Sequence, residues 1–389
     1  MGIRLDRGQF CLCGHIFLLS KLVTFSFTMD LSPKISDILA AKPKDEVAIS
    51  VEFFPPKTEA GVTSLYNLAE KMKAFNPKFA DVTWGAGGTT SDLTLELCAN
   101  LKAKSGLNPN MHLTCTNMEK QKVVDALKGC KEVGITNIVA LRGDPPAGQA
   151  AWEAVEGGFN CALDLVKFIR QEHGDYFCLS VAGYPEGHPN RMSTVADISE
   201  LTETEKARCA ILSNEAGEDI ITVCKDEDFE KELDYLKEKV DAGADAIITQ
   251  LFFDVEVFTT FVTRCREKGI KVPIIPGIMC VASAGGFQRM VRFCKTRVPQ
   301  GLMDQAKAIS EDAEMKVLGI AYGTQMCLEL LEKGVDILHF YTLNASFVTN
   351  GIMANLKKSA FKFCGIVPEG ELETVFDAVV EQAVAVATA

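Results

Sequence analysis

A glutamate lies inside an apolar run near the start of the chain. Residues 50–56 read Ser-Val-Glu-Phe-Phe-Pro-Pro, so Glu52 stands between Val51 and Phe53 and two prolines end the run. A carboxylate is costly to bury among apolar side chains, so it either finds a partner or keeps its proton. Glu52 is therefore either a buried, paired carboxylate or a working acid.

Polar residues also follow several later apolar runs. The tripeptide Arg142-Gly143-Asp144 could be an ion pair at a turn, or its cation could hold a phosphate while its carboxylate faces a heterocycle. His112 and His188, taken singly, are more often core or loop histidines than ligands. Residues 85–88 read Gly-Ala-Gly-Gly, but Thr90 stands where a dinucleotide-binding fingerprint needs glycine, which favours a Gly-rich turn.

Composition narrows the class of protein. The chain has 389 residues, of which 47% are hydrophobic, and this is typical of a globular protein with a large core. A net charge of −12 disfavours nucleic acid as a partner, because phosphate contacts need clustered Lys and Arg. The apolar segment 8–20 is too short to span a bilayer, so we expect no membrane partner.

Cysteine and histidine usage bears on compartment and metals. The 14 cysteines form no C-x-x-C pair, which indicates free thiols in a reduced, cytoplasmic compartment. With five histidines and no Cys/His cluster, the sequence predicts no metal site.

Eight β-branched or aromatic runs alternate with helix-period stretches. The runs are 47–54, 79–84, 111–116, 137–141, 177–184, 246–253, 272–278 and 337–343. Gly134, Gly243, Gly269 and Gly334 each follow a charged stretch and precede a strand, which fits left-handed positions that end helices. Eight such units predict an α/β protein with a (β/α)8 TIM barrel, and an open doubly wound sheet is the alternative.

The sequence predicts a single barrel domain with additions at both ends. An alternative start at Met29 makes the first segment an uncertain extension. The predicted parts are an N-terminal extension (1–28), a helical lead-in (29–46), the barrel (47–366) with a polar insertion (189–228), and a helical tail (367–389).

The polar residues of the chain gather where such barrels bind their ligands. Active sites of TIM barrels lie at the carboxyl ends of the strands. Period-2 alternation places Ser50 and Glu52 on one face of the first strand, and that small, polar face suits a barrel interior. We therefore expect Glu52 to point inward near the catalytic rim.

Nine motifs, in order, resemble the catalytic domain of methylenetetrahydrofolate reductase, a flavoprotein barrel. They are EFFPP, DVTWGAGG, HLTC, NIVALRGDPP, GGFNCALDLV, VAGYPEGHP, LKEKVDAGADAIITQLFFD, PIIPGI and HFYTLN. The resemblance extends from about Ile49 to Asn344 and is closer to the eukaryotic branch. Eukaryotic members carry a large regulatory domain after the barrel, and we expect none here because the chain ends soon afterwards.

The resemblance implies FAD at the strand ends, with NADPH or NADH as electron donor. A carboxylate at Asp144 would lie near the polar edge of the isoalloxazine and disfavour the anionic reduced flavin. Glu232 stands where the family often has Asp. The residues that match FAD contacts are Thr83, Trp84, Ala86, His112, Arg142, Gly143, Asp144, Ala162, Tyr184, His188, Glu232 and Lys239.

The resemblance also implies that Glu52 is the general acid in reducing 5,10-methylenetetrahydrofolate to 5-methyltetrahydrofolate. Proton delivery would open the ring between N5 and N10 to an iminium that accepts hydride. An acid that works near neutral pH must hold its proton there, and an apolar strand favours the protonated form of a carboxyl group. The residues that match substrate contacts are Glu52, Thr83, Asp144 and Gln250.

Two departures from the family concern the far end of the folate. Ala345 stands where some relatives have an arginine that contacts the glutamate tail, and Met290 replaces an aromatic residue of bacterial relatives. Recognition of polyglutamate therefore stays open.

We accordingly expect a homo-oligomeric enzyme with ping-pong kinetics that supplies methyl groups for methionine synthesis. Three alternatives remain: a flavin barrel of the proline dehydrogenase type, a Schiff-base aldolase, and a non-catalytic folate-binding module. The eight strand ends offer no inward lysine, which disfavours the aldolase.

Overall fold

Nine parallel strands form the central barrel of the computed structural model, which describes residues 30–84, 91–144, 154–213 and 218–365. The predicted extension (1–28) and tail (367–389) lie outside these ranges. The strands are β1 (Glu46–Phe53), β2 (Phe79–Val82), β3 (Pro109–Thr114), β4 (Asn137–Leu141), β5 (Cys178–Gly183), β9 (Ala246–Thr249), β10 (Ile274–Ile275), β11 (Gly277–Met279) and β12 (Ile337–Tyr341). Their spatial order is β10-β9-β5-β4-β3-β2-β1-β12-β11, and a short β13 (Lys362–Phe363) pairs with β1.

Strands β10 and β11 occupy one position of the barrel. β10 pairs with β9, and β11 pairs with β12. Pro276 is the residue that separates β10 from β11 along the chain. Proline has no N–H to donate to a ladder, but the Pro276 carbonyl accepts a hydrogen bond from the backbone N–H of His339 at 3.2 Å. The nine strands therefore fill eight positions, which confirms the predicted (β/α)8 barrel over an open doubly wound sheet.

Helices alternate with the strands along the chain. The predicted helix-ending residues Gly134, Gly243, Gly269 and Gly334 all have positive φ, at 69°, 114°, 78° and 87°. The helices are α1 (Ile35–Ala41), α2 (Glu59–Met72), α3 (Ser91–Asn100), α4 (Lys120–Glu132), α5 (Ala162–His173), α6 (Glu203–Arg208), α7 (Asp226–Asp241), α8 (Val255–Glu267), α9 (Ala284–Cys294), α10 (Gln300–Ala308), α11 (Asp312–Glu332) and α12 (Phe347–Lys357). Across the described ranges, no helix is both long and apolar enough for a membrane span.

The segment predicted as an insertion contains a small sheet of its own. β6 (Met192–Val195), β8 (Asp219–Cys224) and β7 (Ala210–Ser213) pair antiparallel in that order. Thr202 and Glu205 form a capping box at the start of α6. The Glu205 carboxylate also accepts the backbone N–H of Asp226 at 3.0 Å, which ties the insertion to the first turn of α7.

The inside of the barrel is apolar at one end and polar at the other. Helix α1 covers the amino-terminal end of the strands, where Ile35 packs on buried residues that include Ala48 and Phe79. The alternate residues Val51 and Phe53 face outward into the helix layer and are fully buried. Apolar packing closes one end of the barrel and leaves the carboxyl end to the polar side chains.

Candidate active site

A cavity of about 780 Å³ lies at the carboxyl ends of the barrel strands. Its volume is in the range of about 300–1,000 Å³ that is usual for small-molecule sites. The cavity brings together most of the residues singled out in the sequence. Those on its wall are Glu52, Thr83, His112, Arg142, Gly143, Asp144, Ala162, Tyr184, His188, Glu232, Lys239, Gln250 and Met290.

Two of the predicted cofactor contacts are not among these wall residues. Trp84 is 8% exposed and packs in the core, and its indole N–H finds no hydrogen-bond partner among the described residues. Ala86 lies outside the residues that the structure describes.

Ala345 is not on the wall, but the neighbouring Asn344 ties the ends of β1 and β12 together. Its side chain accepts the Phe54 N–H at 3.0 Å and donates to the Phe54 carbonyl at 2.8 Å.

Glu52 belongs to a cluster of two carboxyl groups and two imidazoles. The register of β1 and β2 sets Glu52 beside Asp81. His112 Nε2 lies 3.1 Å from Asp81 Oδ2 and 3.5 Å from Glu52 Oε2. From β12, His339 Nε2 lies 3.9 Å from Glu52 Oε2 and 4.0 Å from Asp81 Oδ2. Four titratable side chains from four strands therefore meet at one point beside the cavity.

Buried polar groups hold this cluster in place. Asn110 Nδ2 donates to Asp81 Oδ1 at 2.9 Å, and Ser50 Oγ lies 2.9 Å from His339 Nδ1. Asp81 and His339 are both fully buried. His339 Nε2 itself has no hydrogen-bond partner within the described part of the chain. The cluster therefore has a fixed inner side, and Glu52 and His112 form the side that reaches the cavity.

The protonation of His112 depends on this arrangement. Burial by itself would lower the pKa of His112, but the hydrogen bond with Asp81 and the charges of Glu52 and Asp81 outweigh it, so the pKa is raised. Tyr341 stands nearby, and burial together with the same two carboxyl groups raises its pKa well above the usual value. The Tyr341 hydroxyl donates to the Thr249 carbonyl at 2.6 Å.

The wall formed by α7 and the loop after β5 carries basic side chains, of which Arg191 forms an ion pair with Glu232. Lys239 is 5% exposed and donates to the Ala182 carbonyl at 2.9 Å, and burial lowers its pKa to about 8. Burial and the charges of Arg142, Lys239 and Arg191 lower the pKa of His188 to about 4. His188 is therefore neutral at pH 7, and its Nδ1 accepts the Asn190 N–H at 3.1 Å.

The turn that carries Arg142 and Asp144 is fixed by hydroxyl groups from β3 and the loop after it. Thr114 Oγ1 and Thr116 Oγ1 donate to the Arg142 carbonyl at 2.8 and 3.0 Å. Gly143 has φ +88°, and a Cβ there would lie 2.1 Å from Thr114 Oγ1. Only glycine fits this turn without strain, which explains the residue between the two charged side chains.

Comparison with known proteins places the chain in a family. The family model described as methylenetetrahydrofolate reductase matches residues 34–210 and 221–357. The chain belongs to the methylenetetrahydrofolate reductase family. The methylenetetrahydrofolate reductase (NADH) 1 of Arabidopsis thaliana is 44% identical over 323 residues, which are 83% of this chain and 50% of the relative. The chain spans about half the length of such curated relatives.

A bacterial reductase is matched over nearly its whole length. The 5,10-methylenetetrahydrofolate reductase of Pectobacterium carotovorum is 33% identical over 319 residues, which cover 81% of this chain and 92% of the relative. Among solved structures, a protein from Clostridium thermocellum that binds two copies of 5-methyl-5,6,7,8-tetrahydrofolic acid is similar, with a TM-score of 0.51 and 14% identity. The match covers 82% of this chain and 96% of that one, and it shows the fold alone.

Sequence reasoning about this reductase-family chain missed Asp81 and His339. Asp81 precedes Thr83 by two positions, so the period-2 alternation that places Glu52 inward on β1 also puts both of these residues on one face of the run 79–84, which contains β2. His339 and Tyr341 share a face of β12 in the same way. That these residues reach Glu52 depends on the register between strands, which the sequence does not reveal.

The sequence predicts no metal site, but three residues of the same cluster lie close enough together to hold a cation. Ligand atoms of Glu52, Asp81 and His339 lie within 4.8 Å of one another, which is close enough to surround a cation. Activity with and without a chelator distinguishes a shared cation from shared protons at these atoms.

Proposed function

We propose that this protein reduces 5,10-methylenetetrahydrofolate to 5-methyltetrahydrofolate, using FAD with NADH or NADPH as electron donor. The observation that carries the proposal is the carboxyl group of Glu52 beside the buried Asp81, on the wall of a cavity of about 780 Å³ that Arg142 and Lys239 also line. The near-complete coverage of a bacterial reductase supports it, because the matched region corresponds to almost all of that enzyme.

The donors on the cationic wall fit FAD. A diphosphate needs cations and N–H groups, and Arg142 and Lys239 both line the cavity. Burial is the main cause of the low pKa of His188, and the positive charges of Arg142, Lys239 and Arg191 add to it, so these cations surround a region in which an anionic ligand would be attracted. We propose that Arg142, His188 and Lys239 hold the phosphate and ribose portion, and that Thr83, Asp144 and Tyr184 contact the ring system. Bound there, FAD would supply the hydride that reaches the folate.

The remaining chemistry belongs to side chains of the chain itself. Glu52 would give its proton to the folate nitrogen that leaves the bridging methylene group, as general acid. Gln250, whose Oε1 accepts the N–H of Leu251 at 2.8 Å, would contact the pterin with its amide group. Because the pyridine nucleotide and the folate would use one cavity in turn, we expect ping-pong kinetics.

The choice of pyridine nucleotide is a finer part of the proposal. The similar plant enzymes are named as NADH-dependent, and a Caenorhabditis elegans relative, 32% identical, is named as a probable NADPH-dependent enzyme. Identity is higher to the plant enzymes, at 44% and 45%, and we therefore propose NADH as the better donor.

Anaerobic stopped-flow spectroscopy tests this function. The purified protein should be yellow, NADH should bleach the flavin, and 5,10-methylenetetrahydrofolate should restore the colour with 5-methyltetrahydrofolate as product. NADPH is tested in parallel as the second donor. A colourless protein, or a reduced flavin that methylenetetrahydrofolate leaves bleached, would rule the proposed reaction out. Reoxidation by a proline-derived substrate instead would favour another flavin barrel.

A further inference from the structure

The proposed reaction requires that Glu52 be protonated again after every turnover. Adding a hydride and a proton to the folate consumes one proton from solution, so a spent carboxylate must recover it. Glu52 is 20% exposed and lines the cavity in which the folate would bind. A proton donor on the protein side of Glu52 would meet this need without opening the cavity.

Asp81 and His112 are arranged as such a donor. Strands β1, β2 and β3 are neighbours, and they carry Glu52, Asp81 and His112 respectively. His112 Nε2 is within 3.1 Å of Asp81 Oδ2 and 3.5 Å of Glu52 Oε2, so one N–H lies between two carboxyl oxygens. Asp81 is fully buried, and its other oxygen accepts a hydrogen bond from Asn110 at 2.9 Å.

We propose that His112 returns a proton to Glu52 in each turnover, and that Asp81 is the positioning residue that orients His112 and keeps it protonated. This inference rests on the proposed function. In the acid step, the O–H bond of Glu52 breaks as an N–H bond forms on the folate. In the return step, the Nε2–H bond of His112 breaks as the O–H bond of Glu52 forms again, and His112 then takes a proton from water.

The groups around His112 favour its protonated form. Glu52 faces it from β1 and Asp81 from β2, and both are acidic. From β12, His339 and Tyr341 face the same two carboxyl groups. The raised pKa of His112 agrees with the geometry, because its hydrogen bond and both charges act in the same direction. Removing the charge of Asp81 should therefore lower the pKa of His112.

The Asp81→Asn variant tests the inference by comparing a single turnover with continuous turnover. Flavin bleaching by NADH and one reoxidation by methylenetetrahydrofolate should stay within about threefold of wild type, because neither needs a proton to be returned to Glu52. Steady-state turnover with both substrates needs that return in every cycle and should slow by about tenfold or more. The alkaline limb of the steady-state rate should move to lower pH, because imidazolium is lost earlier. Asp81→Glu should recover part of the rate and of the pH shift. Steady-state turnover at the wild-type rate, equal slowing of every step, or an unmoved pH profile would overturn the assignment.

A second readout does not depend on turnover. The full chain has five histidines, so ring signals from ¹³C-histidine-labelled protein can be assigned with His112→Gln and followed against pH. The midpoint for His112 should fall in Asp81→Asn and stay unchanged in Glu205→Gln. Glu205 is a suitable control, because it is also a buried carboxyl group but caps α6 in the insertion. An unchanged His112 midpoint in Asp81→Asn would contradict the inference.

Two further comparisons separate the possible failures. If wild type cannot reduce methylenetetrahydrofolate, the proposed function fails, but the histidine titration still tests the Asp81–His112 pair. Wild-type rates should be the same with and without a chelator. Loss of folate reduction on chelation would overturn the inference, since the cluster would then hold a cation rather than exchange protons.

Discussion

Asp81 stands on the middle one of three neighbouring strands, between Glu52 on β1 and His112 on β3. Its neighbours Glu52 and His112 reach the cavity, whereas Asp81 is fully buried behind them. A buried carboxylate is stable when its oxygens are hydrogen-bonded, and Asn110 and His112 supply those bonds. The place of Glu52 in an apolar strand therefore has a structural explanation. Glu52 is partly exposed, and it borders both the cavity and a set of partners that can exchange protons with it.

His188 gives a prediction at this scale. Its pKa is about 4 in the folded protein and near 6.5 when unfolded, so the unfolded chain binds more protons between these values. The neutral His188 of the folded protein therefore contributes to stability above pH 6.5. That contribution is lost as the pH falls toward 4, because the unfolded chain takes up the proton first. Replacing His188 by Gln should remove roughly 1–3 kcal/mol of the acid-induced loss in the free energy of unfolding.

Urea unfolding at pH 7 and pH 5 measures this difference. His173→Gln is the matched control, since His173 is only partly buried at the end of α5 and should change the pH dependence far less. If His188→Gln lost stability on acidification as steeply as wild type, the low pKa of His188 would be wrong.

At the scale of elements, the split strand β10–β11 closes the barrel and shapes the site. Gly277 begins β11, and its backbone N–H donates to Thr249 Oγ1 at 3.1 Å. A Cβ at this position would lie 2.4 Å from Tyr341 Cε2 and 2.5 Å from the Thr249 carbonyl oxygen. The close approach of three strand segments here depends on glycine, and it positions Tyr341 on the cavity wall.

Gly277→Ala should therefore destabilise the protein by about 2–3 kcal/mol, because the new methyl group meets a backbone carbonyl that cannot move aside. Gly301→Ala is the control. Gly301 lies in α10, and a methyl group there would meet nothing within 4 Å beyond its own stretch of helix, so alanine should change stability by less than about 1 kcal/mol and in the stabilising direction. The free energy of unfolding from urea titration compares the two. If the two variants were equally stable, the close contacts around Gly277 would be contradicted.

The eight strand positions could be predicted from sequence because parallel strands are covered on both faces and read as apolar runs. The break at Pro276 was missed, although a proline inside a strand run has no N–H for the ladder and indicates an interruption. The three strands of the insertion were also missed. Each has four to six residues, and exposed polar positions such as Ser193 and Thr194 interrupt the pattern.

Across the whole molecule, the barrel is a scaffold whose ends differ. Apolar packing against α1 closes the amino-terminal end, and the carboxyl end holds an acidic cluster facing a cationic wall across one cavity. Most residues of the cavity wall could be predicted from sequence, because polar residues lie at the ends of most of the strands. The partners of Glu52 could not, because Asp81 and His339 meet it through register between strands that are 29 and 287 positions away along the chain.

The comparison of half-reactions in Glu52→Gln tests the central claim most directly. Glutamine keeps the size of the side chain but has no acidic proton to give. Anaerobic stopped-flow should show flavin bleaching by NADH within about twofold of wild type, with folate-dependent reoxidation slowed by about a hundredfold or more. Equal loss of both half-reactions, or reoxidation at the wild-type rate, would contradict the role of Glu52 as the proton donor to the folate.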